Sequence, residues 1–259
     1  MGERAPRPEG KANRIGYEML RAVLAVVFFV AARLRVEDVE NVPKTGPVIL
    51  AVNHINSGDI PCFSLRIPRV THYMAKVELF SVPILGAVMR LLGTFPVRRG
   101  ERDREALKVA ERLLREGELV VIFPEGHRSS TGVLGPGHPG AALIALHTGA
   151  PIVPCAITGT QKLFHGLRYG PFAPRVHVRY GKPFRLTLSG PRVTREDLAR
   201  GTDLIMYNIA VMLPVEYRGQ YANARVRITR DPHGDEIPSI EFTGEEAAAP
   251  ALPPGQELE

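Results

Sequence analysis

The feature that most constrains the fold of this chain is the alternation of short apolar runs with segments of helical periodicity. The runs 47–52, 118–123 and 150–157 are nearly continuous in apolar, mostly β-branched residues, as strands buried on both faces of a parallel sheet are. Between two of them, residues 104–116 carry Leu and Ala at helical spacing, and Gly117 follows as a helix stop. The pattern predicts an α/β domain with a central, mostly parallel or mixed sheet flanked by helices.

The remaining periodic segments fit the same architecture. Helices are predicted over 140–148 and over 194–213, the latter capped by Thr194, and residues 175–180 alternate as a half-exposed or edge strand does. No linker or internal repeat interrupts the chain. We therefore expect a flexible N-terminus over 1–13, one domain over 35–240, and a disordered tail over 241–259, where periodicity is absent.

An apolar run near the start, Ala22–Ala32, is bounded by Arg21 and Arg33. As a helix it would be roughly 16 Å long, about half of the hydrocarbon core of a bilayer, so it cannot span a membrane alone. Three interpretations remain open: the core of a signal peptide, a buried helix, or an interfacial helix over 14–34 whose arginines face anionic head groups.

Composition narrows the choice of partners. The formal net charge is +6, which favours anionic surfaces and phosphate-bearing ligands. Tryptophan is absent and aromatic residues make up only 7%, which argues against nucleic acid, since single-strand binding relies on aromatic stacking. Two cysteines, Cys62 and Cys155, provide no disulfide framework and read as small buried apolar residues.

His54 and Asp59 form the first candidate for catalysis. On one helix, residues five apart point about 140° away from each other, so the two side chains can meet only across a turn. Asn56, Ser57 and Gly58 between them are turn-forming residues. A carboxylate on one ring nitrogen would orient His54 as a general base. The alternative is an ordinary Asp helix cap beside an unrelated histidine.

A second candidate follows the strand 118–123. Arg128 could bind phosphate oxygens, and Glu125 could accept from a substrate hydroxyl or hold Arg128; a surface salt bridge in a turn is the simpler alternative. Upstream, a short strand precedes Arg98 and Arg99. Pro154 within an apolar strand indicates an edge, a bulge or a shaped pocket wall.

No protein nucleophile accompanies these residues. The chain has no Gly-x-Ser-x-Gly elbow and no Ser/Lys motif, and its histidines lack the spacing of a zinc site. If His54 is a base, the group that it activates is then a substrate hydroxyl or water.

Taken in order, four segments resemble the sequence blocks of the glycerophospholipid acyltransferase family. They are His54-x4-Asp59, Gly93-x-Phe-Pro-Val-x-Arg99, Phe123-Pro-Glu-Gly-x-Arg-Ser129 and Pro151-Ile-Val-Pro154. The resemblance covers about residues 35–185. Each block alone is weak, whereas four in order are specific for the family.

The resemblance implies a role for each matching residue. His54 would be the general base and Asp59 its orienting partner. Acceptor binding would fall to Arg99, Glu125, Gly126, Arg128, Ser129 and Pro154. The implied reaction transfers an acyl group from acyl-CoA or acyl carrier protein to a lysophospholipid, such as 1-acylglycerol 3-phosphate, with no metal or other cofactor. The implied location is the cytoplasmic face of an anionic membrane, which favours the interfacial interpretation of 14–34.

Three other functions stay open from the sequence. The acceptor could be a glycerol phosphate, a lyso-amide lipid or a glycolipid. The chain could also be an inactive protein that binds membrane surfaces, or a hydrolase in which His54 activates water.

Overall fold

The structure, a computed structural model, describes residues 16–19, 21–23, 25, 32–97, 104–161, 163, 174–230 and 236–242. Its strands are β1 (Arg33–Glu37), β2 (Val48–Val52), β3 (Thr71–Lys76), β4 (Phe95–Val97), β5 (Leu119–Ile122), β6 (Ile152–Thr158), β7 (Arg175–Tyr180), β8 (Ala224–Arg230) and β9 (Glu236–Phe242). Its fully bounded α-helices are α1 (Asp59–Ser64), α2 (Pro83–Leu91), α3 (Arg104–Arg115), α4 (Gly140–Thr148) and α5 (Arg195–Ala210).

Seven of these strands form one central sheet in the order β1-β7-β6-β2-β5-β3-β4. Every neighbouring pair is parallel except β6 and β7, which are antiparallel. The predicted α/β fold with a mostly parallel sheet is therefore confirmed. β8 and β9 form a separate antiparallel hairpin, which the sequence pattern did not predict; β3 and α2 were not predicted either.

The core lies on both faces of the sheet because the central strands are buried throughout. Ile49, Val120 and Ile152 pack on one face, beneath α3, α4 and α5. Leu50 and Val153 point to the opposite face, where α1 contributes Cys62 and Phe63. This two-sided burial explains why the strands are continuous apolar runs rather than alternating ones.

The long helices begin and end where the sequence provides stops and caps. After α3, Gly117 adopts a φ of +84°, which a side chain would disfavour. At the start of α5, the Thr194 side chain accepts from the Asp197 N–H, and the Asp197 carboxylate accepts from the Thr194 N–H, which completes a capping box.

The helix predicted over 14–34 differs from the structure at its C-terminal end. Arg33 and Leu34, assigned to the helix over 14–34, instead begin β1, where they pair with Arg175 and Val176 of β7. Parallel pairing with a distant strand decides the conformation of these two residues, and the helical tendency of the apolar run before them does not. Residues 16–19, 21–23 and 25 are helical; the rest of 1–31, including the segment 1–13 predicted to be flexible, lies outside the described residues.

No helix within the described part of the chain is long and apolar enough to cross a membrane. At the other end, β9 extends to Phe242, so Glu241 and Phe242, predicted to begin the disordered tail over 241–259, are strand residues instead. The rest of that predicted tail lies outside the described residues.

Pro154 lies in β6, which is a central strand, so the edge-strand alternative is wrong. Cys155 pairs with Tyr180 and Ile152 with Phe184, which leaves two residues between these pairs in β6 but three in the facing chain, so the extra residue of this irregularity lies opposite Pro154 rather than in β6. The Pro154 nitrogen faces this irregular stretch, where a missing N–H removes no regular ladder bond.

Candidate active site

The site residues gather at the edge where the parallel strands β2, β3 and β5 end. His54 follows β2 by two residues, and Phe123 follows β5 directly. Because β2 and β5 are hydrogen-bonded neighbours, their carboxyl ends bring the two distant segments side by side. Ligands in open α/β sheets bind at this edge.

A tight turn between β2 and α1 brings His54 and Asp59 together, as the spacing predicted. The His54 Nδ1 lies 2.8 Å from Asp59 Oδ2. The same oxygen accepts the backbone N–H groups of Ile55 at 2.7 Å and Asn56 at 2.8 Å. Asp59 is the first residue of α1 and is fully buried. Three hydrogen bonds to one carboxylate oxygen hold the turn and the ring in a single arrangement.

The His54 ring is also held from its face. It stacks on the Phe123 ring, with centroids 4.0 Å apart and planes 18° apart. Since Nδ1 faces Asp59, Nε2 is the ring nitrogen left to exchange a proton with a substrate. With 6% exposure, His54 is largely shielded from solvent. A base oriented on one nitrogen and kept nearly dry is suited to general-base chemistry.

Glu125 has partners other than those expected. Its Oε1 accepts the His54 backbone N–H and its Oε2 accepts the Gly135 backbone N–H, both at 2.9 Å. Arg128, the expected ion-pair partner, instead donates to the Ser57 hydroxyl at 3.1 Å. Burial raises the pKa of the Glu125 carboxyl, and the hydrogen bonds from Gly135 and His54 lower it in part. Glu125 is only 1% exposed, so its carboxylate links the loop of His54 to the loop of Gly135 from the protein interior.

Asn53, for which the sequence predicted no role, anchors the turn to the neighbouring strand. Its amide donates to the Ile157 carbonyl at 2.9 Å, and its side-chain carbonyl accepts the Ile157 N–H at 2.8 Å. This bidentate pairing occurs where β2 stops and β6 continues. The sequence signal for this anchoring role was a polar residue at the end of an apolar run, because a buried polar side chain needs hydrogen-bond partners.

The loop after β5 places the remaining predicted residues around His54. The Ser129 N–H donates to the His54 carbonyl at 2.7 Å, and its hydroxyl donates to the Val133 carbonyl. Gly126 adopts a φ of +70°, and an added Cβ would lie 2.9 Å from the His138 ring. Only glycine suits this position. Arg128 is exposed at the same edge, with its guanidinium held towards the His54–Asp59 turn by Ser57.

The surroundings of Asp59 are apolar on the side away from His54. Burial, with a further contribution from the Asp59 charge, raises the pKa of the Cys62 thiol to about 12, and the same causes raise that of Cys155. Both cysteines are fully buried and unpaired, which confirms their prediction as apolar core residues. Asp59 Oδ1 is buried and has no hydrogen-bond partner among the described atoms.

Of the predicted residues that the structure describes, Pro154 is not brought to this cluster. Arg99 lies outside the described residues. Pro154 lies against Gly181 and close to the Met212 thioether. A Cβ atom added to Gly181 would be 2.7 Å from Pro154 Cγ and 3.1 Å from the Met212 sulfur. Within the described ranges, no three His, Cys, Asp or Glu residues are grouped as metal ligands would be.

Comparison with known proteins identifies relatives of this chain. Residues 33–158 match the family model described as Acyltransferase, and this range holds His54, Asp59, Glu125 and Arg128. The 1-acyl-sn-glycerol-3-phosphate acyltransferase of Bacillus subtilis (strain 168) is 35% identical over 144 residues, which are 55% of this chain and 71% of that protein.

Two further matches have related names. A chloroplastic 1-acyl-sn-glycerol-3-phosphate acyltransferase of Brassica napus is 34% identical over 131 residues, 49% of this chain but only 38% of that protein. The crystal structure of the 1-acyl-sn-glycerophosphate (LPA) acyltransferase PlsC from Thermotoga maritima superposes with a TM-score of 0.59 at 23% identity, covering 80% of this chain and 84% of that one. The structural likeness supports the fold.

Proposed function

This chain belongs to the acyltransferase family, and on that premise we propose that it acylates the free hydroxyl of a lysophospholipid, 1-acylglycerol 3-phosphate. The acyl group would come from a thioester, acyl-CoA or acyl carrier protein. The observation that carries the proposal is the His54–Asp59 pair, 2.8 Å apart at the carboxyl edge of the sheet, with exposed Arg128 beside it. The names of the relatives support this choice of acceptor.

In the proposed mechanism, His54 acts as the general base. Its Nε2 takes the proton of the acceptor hydroxyl while the hydroxyl oxygen attacks the thioester carbonyl carbon. The new C–O bond forms, the C–S bond breaks, and the leaving thiolate receives the proton from the imidazolium. Asp59, bonded to Nδ1, fixes the tautomer and stabilises the positive charge that develops on the ring. No acyl-enzyme is needed, because holding the two substrates together supplies much of the rate.

Arg128 is proposed to bind the phosphate of the acceptor. Its guanidinium is exposed and its one described side-chain bond, to Ser57 Oγ at 3.1 Å, leaves most of its donors available for phosphate oxygens. Ser57 lies within the His54–Asp59 turn, so this bond places the phosphate-binding group next to the base. Arg99 remains a second proposed phosphate ligand.

Glu125 is proposed as a positioning residue. Both of its oxygens are engaged by backbone N–H groups, and one of these belongs to His54 itself. A buried carboxylate that links residues 54 and 135 acts on the reaction through the placement of His54. The expected contact of Glu125 with the acceptor hydroxyl remains a prediction, since each carboxylate oxygen has a second lone pair.

The acceptor is tested with a panel. Purified protein is incubated with acyl-CoA and, in separate reactions, 1-acylglycerol 3-phosphate, glycerol 3-phosphate, a lyso-amide lipid and a glycolipid. We expect 1-acylglycerol 3-phosphate to have the highest kcat/KM; the lowest value in the panel would refute the proposed acceptor. Product analysis separates transfer from hydrolysis, because hydrolysis releases fatty acid without consuming acceptor.

His54 is tested by its alanine variant. His54→Ala should abolish transfer while the circular dichroism spectrum stays unchanged, and an unchanged rate would remove the role as general base.

Because acyl thioesters are cytosolic and the acceptor is a lipid, we further propose that the enzyme acts at the cytoplasmic face of an anionic membrane.

A further inference from the structure

An apolar surface stands beside the active-site edge and has no role in the chemistry above. The segment 77–91 connects β3 to β4 and comprises a short 3-10 helix, Val77–Phe80, followed by α2. Within it, the four consecutive residues 81–84 are all exposed, and three of them, Val82, Pro83 and Ile84, are apolar. Ile84 is 81% exposed, more than any other large apolar side chain that the structure describes. We call residues 77 and 82–84 the α2 patch.

The α2 patch is part of a packed element. Gly86 seats α2 on the 3-10 helix, since an added Cβ there would lie 2.5 Å from the Phe80 carbonyl oxygen. The Gly86 N–H also donates to the Val82 carbonyl. The side chains of Val82 and Ile84 therefore face solvent from an anchored helix start. A contiguous exposed apolar patch of this kind marks an interaction surface.

The α2 patch lies on the same edge of the sheet as His54. β2, β5 and β3 are successive parallel neighbours, and Val77 directly follows β3 as Asn53 directly follows β2. Two strand spacings separate these ends, roughly 10 Å. A lipid bilayer in contact with the α2 patch would thus face the opening through which a lipid acceptor must reach His54.

The charges around the α2 patch suit an anionic surface. Two exposed basic residues, Lys76 and Arg90, lie near the α2 patch, compared with one exposed acidic residue, Glu78. The Arg90 guanidinium lies 5.7 Å from the Phe80 ring centroid. The whole chain carries a net charge of +6. Exposed Val226 and Ile228 share one face of the β8–β9 hairpin with Ile240 and Pro238, but this hairpin is separate from the sheet that carries His54.

From these observations we propose that the α2 patch inserts into the head-group region of an anionic bilayer and seats the active-site edge on the membrane. This contact involves residues other than those of the N-terminal segment 14–34, and it rests on the proposed function only in that the acceptor is a lipid. Apolar side chains at the interface with cationic neighbours are the pattern of peripheral membrane contacts.

The test uses the full chain and vesicles of phosphatidylethanolamine and phosphatidylglycerol. Ile84→Asn should lower the vesicle partition coefficient by roughly tenfold or more, as removal of one large inserted apolar side chain does. Val82→Asn should act in the same direction. The matched control is Leu188→Asn, because Leu188 is also an exposed apolar residue (39% exposed). It follows Phe184, which pairs with Ile152, the first residue of β6, at the edge opposite to the active site.

A rate with a short-chain, water-soluble acceptor accompanies each binding measurement and should be unchanged in all three variants. Vesicle binding like that of wild type in both Ile84→Asn and Val82→Asn would overturn the proposal. So would a change of oligomeric state in these variants with vesicle binding intact, which would identify the α2 patch as a contact between copies. If no lysophospholipid is acylated but Ile84→Asn still loses vesicle binding, the proposed acceptor is wrong and the membrane contact stands.

Discussion

The replacement Asp59→Asn separates the structural and chemical roles of the buried carboxylate. Asparagine has nearly the same shape, so its carbonyl oxygen can occupy the Oδ2 position and keep the bonds from His54 Nδ1 and from the Ile55 and Asn56 N–H groups. Its NH2 group then takes the Oδ1 position, which has no partner among the described atoms. A buried unsatisfied donor costs about 1–3 kcal/mol. The melting temperature should therefore fall by roughly 3–10 °C.

The effect on catalysis should be larger than the effect on stability. The substitution removes the negative charge next to a ring that becomes positive in the transition state. With charge centres about 4 Å apart and an effective dielectric constant of about 20, that attraction is about 4 kcal/mol. Part of it is already present before the reaction, and each 1.36 kcal/mol is a factor of ten. We therefore expect kcat to fall roughly 100- to 1000-fold.

The assay measures initial rates with both substrates saturating, at a temperature well below the melting temperature of each variant. The matched control is Asp38→Asn, which removes an exposed carboxylate that lies 3.0 Å from Arg179 Nε; its kcat should equal that of wild type. A kcat for Asp59→Asn within threefold of wild type would show that the charge of Asp59 does not assist His54, and that Asp59 serves only as a turn and helix residue.

Three further predictions concern other residues. Glu125→Gln can satisfy only one of the two backbone N–H groups, so kcat should fall more than acceptor KM rises, and thermal melting should show a loss of about 1–3 kcal/mol. Arg128→Lys keeps the charge but loses the planar fork, so acceptor KM should rise at least severalfold with little change in kcat; an unchanged KM would indicate a surface residue. Burial raises the pKa of Asp197, but hydrogen bonds from Ser189 and Thr194 outweigh it and hold the pKa at about 2. Because this folded-state pKa is below the unfolded value, the stability of wild type relative to Asp197→Asn should be full above about pH 4 and decline towards pH 2 in urea denaturation.

The parts of the fold that depend on local pattern could be predicted. Helix α4 and strand β7 have the predicted bounds, and the helix cap at Thr194 is where the sequence placed it. Elements without a strong local pattern were missed: β3 mixes polar and apolar residues, and β8 alternates arginines with small and β-branched residues. Their strand conformation depends on pairing with neighbours, which a single segment does not encode.

The same division applies to the active site. The turn that joins His54 to Asp59 is built from its own backbone and side chains, so the sequence by itself determined a turn across which the two side chains could meet. Glu125 is 71 residues from His54, and Arg128 is 71 residues from Ser57. Only the tertiary structure, by placing β5 next to β2, decided that Glu125 binds the His54 backbone and that Arg128 turns to Ser57. Contacts across strands are set by the order of the sheet, and that order follows from packing the whole chain.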